Sequence, residues 1–272
     1  MCTAASAACS KGAAVASALL QTERLTRRFG GVVAVDGIEL TIAQKEVHAI
    51  IGPNGAGKTT LIGLLSGEIA AEDGSIRFDG AEIGRLPVYR RSQLGLARSF
   101  QITSLFRDFS ALDNVALAAQ AHRGHSFRFW RDARREDALR GPALAALERV
   151  GMRDRSAARV DKLSHGEQRQ LEIAMALAGG PQLLLLDEPM AGMGPDESAR
   201  MVQLLRSLKG SVTILLIEHD MEAVFALADR LSVLVYGRII ASGEPEAIRA
   251  DPAVRQAYLG EKDGGGRGRQ DG

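Results

Sequence analysis

The feature that most limits how this chain can fold is the run Gly52-Pro-Asn-Gly-Ala-Gly-Lys-Thr-Thr60, set between the apolar run Val47–Ile51 and the helix-like stretch Leu61–Leu65. Strand, glycine-rich turn and helix in that order bring the end of a buried strand against the positive end of a helix. In the pattern G-x4-G-K-[ST], Gly52 and Gly57 let the backbone curl so that successive N–H groups and the helix end face one anion. Pro53, Asn54, Gly55 and Ala56 complete the curl. Lys58 is spaced to reach the β- and γ-phosphates of a nucleotide, and Thr59, followed by Thr60, offers a hydroxyl to Mg2+. A plain glycine-rich turn is the competing reading, but few such turns stand between a buried strand and a helix.

At 272 residues the chain can bury one substantial core with a smaller subdomain attached. Its formal charge of +1 steers it neither to nucleic acid nor to an anionic membrane, so no nucleic-acid partner is expected. No window approaches the ~18 consecutive apolar residues of a membrane span. Cys2 and Cys9 lie in an Ala/Ser-rich leader and cannot staple a fold from there, which points to a reducing cytoplasm. Residues 1–20 read as a disordered extension rather than a signal peptide, and 261–272 as a disordered, Gly-rich, charged tail.

Ahead of the loop, Leu25–Phe29, Val32–Val35 and Ile38–Ile42 read as short strands joined by glycine turns, an antiparallel β element. Phe29 is either an ordinary packing aromatic or a flat face at the sheet edge on which a purine stacks. Behind the loop, Gly74–Gly80 is a strand closed by turn residues, and Gly95–Phe100 leads into Gln101. That glutamine bonds either to solvent or to a metal-bound water or phosphate. Over about 102–178 the pattern turns helical: Leu112–Ala121, then a second pattern within Arg131–Val150 broken at Gly141-Pro142. Between these lies the basic, aromatic stretch Arg123–Arg131, which reads as a solvated loop or as a contact for lipid headgroups or a membrane partner. His122 and His125 make no metal site without further ligands.

Ser164 and Glu167, in Leu163-Ser164-His165-Gly166-Glu167, fit a capping box ahead of a helix with Leu171, Ala174, Met175 and Ala178 on one face. The same helix end leaves N–H groups and a hydroxyl for an anion, and the two roles are compatible. Leu183–Leu186 then reads as a central parallel strand that delivers Asp187 and Glu188 to its carboxyl end. Burying two acids there is costly unless a metal or partner is near, so either Asp187 holds Mg2+ and Glu188 faces an attacking water, or the pair merely ends the strand facing solvent; the phosphate loop favours the first. Val212–Ile217 is a second such strand and ends in Glu218-His219-Asp220. His219 is either a satisfied structural residue or a group that meets a phosphate oxygen or the attacking water. Leu231–Val235 and Ile239–Ala241 form a hairpin, followed by short helices from Pro245 and Ala253.

Taken together and in this order, the Gly52 loop, Gln101, the Ser164–Glu167 segment, Leu186-Asp187-Glu188-Pro189 and His219 resemble the ATP-binding cassette family, over roughly residues 20–260. The resemblance implies an α/β P-loop ATPase core with an antiparallel β subdomain and an inserted helical subdomain. By it, ATP is sandwiched between the phosphate loop of one subunit and the Ser164–Glu167 signature of a second, identical or homologous one. It further implies that Phe29 stacks on adenine, Gln101 couples the γ-phosphate and its Mg2+ to integral-membrane permease subunits, Glu188 is the general base, and His219 is the switch histidine. Gly95–Gln101, Leu171–Met175, Ile217–Met221 and Tyr258-Leu259-Gly260-Glu261 are similar to the ATPases of branched-chain amino acid importers. Such subunits sit on the cytoplasmic face of the bacterial inner membrane and serve a periplasmic binding protein indirectly. Cassettes of lipopolysaccharide export and urea import are similar at several of these positions. A soluble cassette of translation or DNA repair would more typically carry two cassettes or a long coiled-coil insertion. Two departures stand out: His165 replaces the second glycine of the signature, and Gly194 occupies the usual aspartate of the loop after Glu188.

Overall fold

The computed structural model describes residues 18–99, 105–122 and 137–256. β1 (Ala18–Phe29) and β2 (Val32–Ala43) form a hairpin, and β3 (Val47–Ile51) leads through the glycine loop into α1 (Lys58–Ser66). β4 (Asp73–Phe78), β5 (Ala81–Glu82), α2 (Val88–Gln93) and β6 (Leu96–Arg98) follow. Next come α3 (Ala111–His122), α4 (Asp137–Arg149) and α5 (His165–Leu177). The chain then runs through β7 (Leu183–Asp187), α6 (Pro195–Leu208), β8 (Thr213–Ile217) and α7 (Met221–Leu227). It closes on β9 (Arg230–Val235), β10 (Arg238–Gly243), α8 (Pro245–Ala250) and α9 (Pro252–Val254).

The strands sort into an antiparallel four-stranded sheet, β2-β1-β4-β5, and a six-stranded sheet, β10-β9-β3-β8-β7-β6. In the second, β9, β3, β8, β7 and β6 run parallel and only β10 is antiparallel. Side chains alternate across a strand, so each central strand feeds two cores. Leu184 and Leu186 of β7 and Ile214 and Leu216 of β8 join the cluster under α5 and α6. Leu183, Leu185, Leu215 and Ile217 point the other way, into the cluster shared with α1 and the antiparallel sheet. A strand buried on both faces has few polar positions to spare, which is why Leu183–Leu186 of β7 and Ile214–Ile217 of β8 are apolar throughout, with polar residues only at the strand ends, Asp187 and Thr213. His48 is the exception in β3. It is buried because both ring nitrogens have partners, Glu46 Oε1 at 2.9 Å and Ser232 Oγ at 2.8 Å.

α3, α4 and α5 pack on one another as the expected helical insert. One expectation fails here: α4 continues through Gly141-Pro142 instead of breaking. Proline removes one N–H bond near the helix start, and burial of Ala143, Ala146 and Leu147 downstream holds the helix against that loss. The N-terminal boundary also moves, since β1 already begins at Ala18 and Leu19 and Leu20 are buried. The leader up to residue 17, Gln101, the Arg123–Arg131 stretch and the 261–272 tail lie outside the described residues.

Arg91 was not singled out by the sequence reading, yet it ties the antiparallel sheet to α1. It is 2% exposed, and its guanidinium donates to Leu64 O (2.6 Å), Leu65 O (2.7 Å), Leu86 O and Gly84 O (both 2.9 Å). Two of those carbonyls end α1, where the helix has acceptors to spare and a cation is favoured. Burial pulls the guanidinium pKa down, against the pull of Glu82. Replacing Arg91 by Met strands these carbonyls in the core, and we expect a loss of about 3 kcal/mol or more in urea unfolding.

Candidate functional site

The glycine loop rests on other backbones. A Cβ at Gly52 would lie 2.1 Å from Leu234 O, and one at Gly57 would lie 2.2 Å from Ala34 O. Gly57 also holds a φ of 103°, which disfavours any other residue. The loop is tied down from the side as well: Gly237 N donates to Ala56 O and Asp36 N to Gly237 O, both at 2.9 Å. So the β9–β10 hairpin and β2 hold the loop in place. Asn54, Gly55 and Thr59 are exposed, Pro53 and Thr60 half-buried. No side chain caps the start of α1, so its first amides face the loop's concave side. A cradle of this kind, lined by N–H groups and closed to side chains, fits a phosphate chain.

Lys58 is buried and folds back on its own loop, donating to Gly52 O (2.7 Å) and Pro53 O (3.0 Å). Desolvation lowers its pKa, and the charges of Glu188 and Asp187 oppose that. Both acids stand at the end of β7, as expected. Asp187 is 5% exposed, with Oδ2 3.4 Å from Arg98 Nη2. Burial raises its pKa, Arg98 lowers it, and Glu188 raises it again. Arg98, at the end of β6, also pairs with Glu68 and was missed by the sequence reading; spacing carries no signal for it.

Glu188 is held in a left-handed conformation, φ 49°, which costs a side-chain-bearing residue about 1–2 kcal/mol. Its N–H donates to Ile217 O (2.9 Å), and its carbonyl accepts from Ala191 N (3.1 Å). The kink turns the carboxylate toward His219, whose Nδ1 lies 4.0 Å from Glu188 Oε1. Glu218 is buried at the end of β8, and its oxygens accept from Met190 N (3.0 Å) and His219 N (3.1 Å). The signal for Glu218 was present, an acid directly after an apolar strand, the same signal that marked Asp187.

Phe29 stands at the tip of the β1–β2 hairpin, 46% exposed, with the Arg27 guanidinium 4.8 Å from its ring centre. Its exposure leaves surface for a flat ligand. The Ser164 segment forms the expected capping box: Ser164 Oγ accepts from Glu167 N (3.2 Å), and Glu167 Oε2 accepts from Ser164 N (2.8 Å). Ser164 and His165 are exposed, and an accepting hydroxyl keeps a proton to donate. Gly166 is buried against Glu197. Ser164, Gly166 and Glu167 share a recess of about 40 Å³ with Met193, Glu197 and Arg200, which no residue of the Gly52–Thr60 loop lines. Within one chain, then, Lys58, Asp187, Glu188 and His219 converge, and the capped helix end opens elsewhere. Gly194 caps α6 without a side-chain bond, so the usual carboxylate acceptor is missing there.

The ABC transporter family model matches residues 35–191, and the branched-chain amino acid ATP-binding cassette transporter model matches residues 238–264. The chain is 40% identical over 250 residues to the Pseudomonas aeruginosa high-affinity branched-chain amino acid transport ATP-binding protein BraF, covering 89% of this chain and 98% of that one. It is 36% identical over 255 residues to LivG of Escherichia coli K12, of the same description, with 89% and 98% covered. Among solved structures it is similar to MJ1267, an ATP-binding cassette of an ABC transporter in its ADP conformation, with a TM-score of 0.80 and 29% identity over 90% of this chain and 99% of that one. A nucleotide-free cassette from an ABC transporter gives a TM-score of 0.79 at 28% identity, over 89% and 99% of the two chains.

Burial of the Asp187 charge has a measurable sign. A raised folded-state pKa contributes stability that is fully present below the unfolded carboxylate value and is lost as pH rises through the folded one. Asp187→Asn carries no charge at any pH. The nucleotide-free variant should therefore unfold at higher urea than wild type near neutral pH, by about 0.5–2 kcal/mol. The advantage should shrink as pH falls toward the ordinary carboxyl value of 3.8.

Proposed function

This chain belongs to the ATP-binding cassette family of ABC transporters, and from that premise we propose that it is the ATP-hydrolysing subunit of an importer of branched-chain or related amino acids. The convergence of Asp187, Glu188 and His219, at the ends of adjacent parallel strands, on Lys58 at the start of an uncapped helix carries the ATPase part of the reading. The match at residues 238–264 and the printed names of the relatives support the solute class.

The roles follow from the donors present. The loop from Gly52 to Thr60 holds the phosphates through backbone N–H groups, and Lys58 trades its loop carbonyls for phosphate oxygens. Among the described residues no cluster of three or more His, Cys, Asp or Glu cages a metal. A hydroxyl and one carboxylate suit Mg2+, which takes few protein ligands and completes its shell with water and phosphate. Thr59 and Asp187 supply those oxygens, with Gln101 as the third group; the ion, when bound, neutralises phosphate charge. Glu188 takes the proton of the attacking water, and His219 orients that water or meets the terminal phosphate. Phe29 stacks on adenine.

The Ser164–Glu167 helix end lines a recess to which the phosphate loop of its own chain contributes nothing, and this supports a two-subunit site in which Ser164, His165, Gly166 and Glu167 of one copy face the nucleotide of the other. ATP closes that dimer and hydrolysis reopens it. Among the described residues no helix is long and apolar enough to cross a membrane. The chain then works from the cytoplasmic face of the inner membrane, on permease subunits that receive solute from a periplasmic binding protein.

Glu188→Gln is expected to keep MgATP affinity within about 2-fold and to lower turnover by about 100-fold or more, read by phosphate release and nucleotide titration. Lys58→Ala should weaken nucleotide binding itself, and normal MgATP affinity in that variant would refute the phosphate-loop assignment. For the transport reading, cells lacking this chain should lose uptake of labelled leucine, isoleucine and valine, with wild type but not Glu188→Gln restoring it. Unchanged uptake of all three would refute the solute class.

A further inference from the structure

Glu218 is the one buried acid at this sheet edge that the proposed chemistry leaves without a role. It is 1% exposed, and among the described residues the basic side chain within 4.0 Å is the His219 ring, whose Nδ1 is 3.8 Å from Glu218 Oε2. A buried carboxylate without an arginine or lysine is a poor source of stability, and burial pushes its proton affinity up. What it does have is a split set of hydrogen bonds. One oxygen takes the N–H of Met190, two residues beyond Glu188; the other takes the N–H of His219 itself. The two loops it joins follow different strands, β7 and β8.

We infer that Glu218 is a positioning residue for hydrolysis, a two-armed acceptor that fixes the left-handed Glu188 turn and the His219 backbone at one separation. The inference rests on the reading of Glu188 as the general base. The other bonds at each loop do not span them in this way. Ala191 N closes the Glu188 turn on itself, and the Asp220 side chain caps α7 through Glu222 N and Ala223 N. Glu188 N to Ile217 O fixes where the turn leaves β7 but leaves the Met190 end free. Among the described residues, the carboxylate of Glu218 alone bonds both the far end of that turn and the histidine backbone. A glutamine there has the same volume and one acceptor, and its NH2 group must face one of the two N–H donors, so one loop is released.

The test uses the full chain with MgATP. Glu218→Gln should lower kcat at least tenfold while the nucleotide Kd stays within about 2-fold, because the phosphate loop is untouched. The ring resonance of His219, assigned by its loss in His219→Ala, should shift in the Glu218→Gln protein, while those of His48 and His165 stay in place. A kcat within 2-fold of wild type, an unmoved His219 resonance, or a Kd that weakens in step with kcat would each overturn the inference. Should Glu218→Gln not fold, Glu218→Asp is read by the same criteria, since it keeps both acceptors on a stem one methylene too short to span the loops. Glu188→Gln run alongside separates the two readings. Full turnover in that variant removes Glu188 as the base, whereas a dead Glu188→Gln beside a fully active Glu218→Gln removes only the role of Glu218.

Discussion

Backbone touches backbone where the loop from Gly52 to Gly57 meets β9 and β2, and the rest of the site takes its position from that contact. With no side chain between them, the three segments pack backbone against backbone and share hydrogen bonds. The start of α1 is thereby fixed against the parallel sheet, and the ends of β7 and β8 are fixed against α1 through the shared apolar cluster. A phosphate cradle needs N–H groups that hold their direction before the ligand arrives, because reorganising them afterwards subtracts from binding. Rigidity at this spot comes from what the residues lack.

Much of the architecture could be read from the chain because it depends on local rules. The glycine spacing, the Ser164–Glu167 box and the unbroken apolar runs of β7 and β8 each impose one geometry on a short segment, and each appears as expected. The misreading at Pro142 has the opposite origin. Proline's local cost is outweighed by the burial of Ala143, Ala146 and Leu147 just downstream, and only the packed structure reveals that burial. The start of β1 at Ala18 was hidden for a related reason: Leu19 and Leu20 follow an Ala/Ser-rich leader, and their partners in β2 and β4 are far along the chain.

Buried charge is where sequence reading fell furthest short. Arg91 and Arg98 have ordinary neighbours in the chain, and their burial follows from acceptors contributed by distant segments. Arg91 meets carbonyls nearly thirty positions away, and Arg98 meets an aspartate across the sheet. Asp187 was legible because apolar residues lead directly into it. The same rule applies to Glu218, which directly follows the apolar strand β8 and is buried. A strand that ends in an acid therefore warrants a search for the donor that made burial tolerable.

The left-handed turn at Glu188 sets the backbone and the chemistry at odds. Glycine or asparagine would sit there with less strain, and neither can accept a proton from water. The strain at this residue is held in place by its backbone bonds to Ile217 and Ala191, so a local preference for relaxation is overruled by the two strands that meet there.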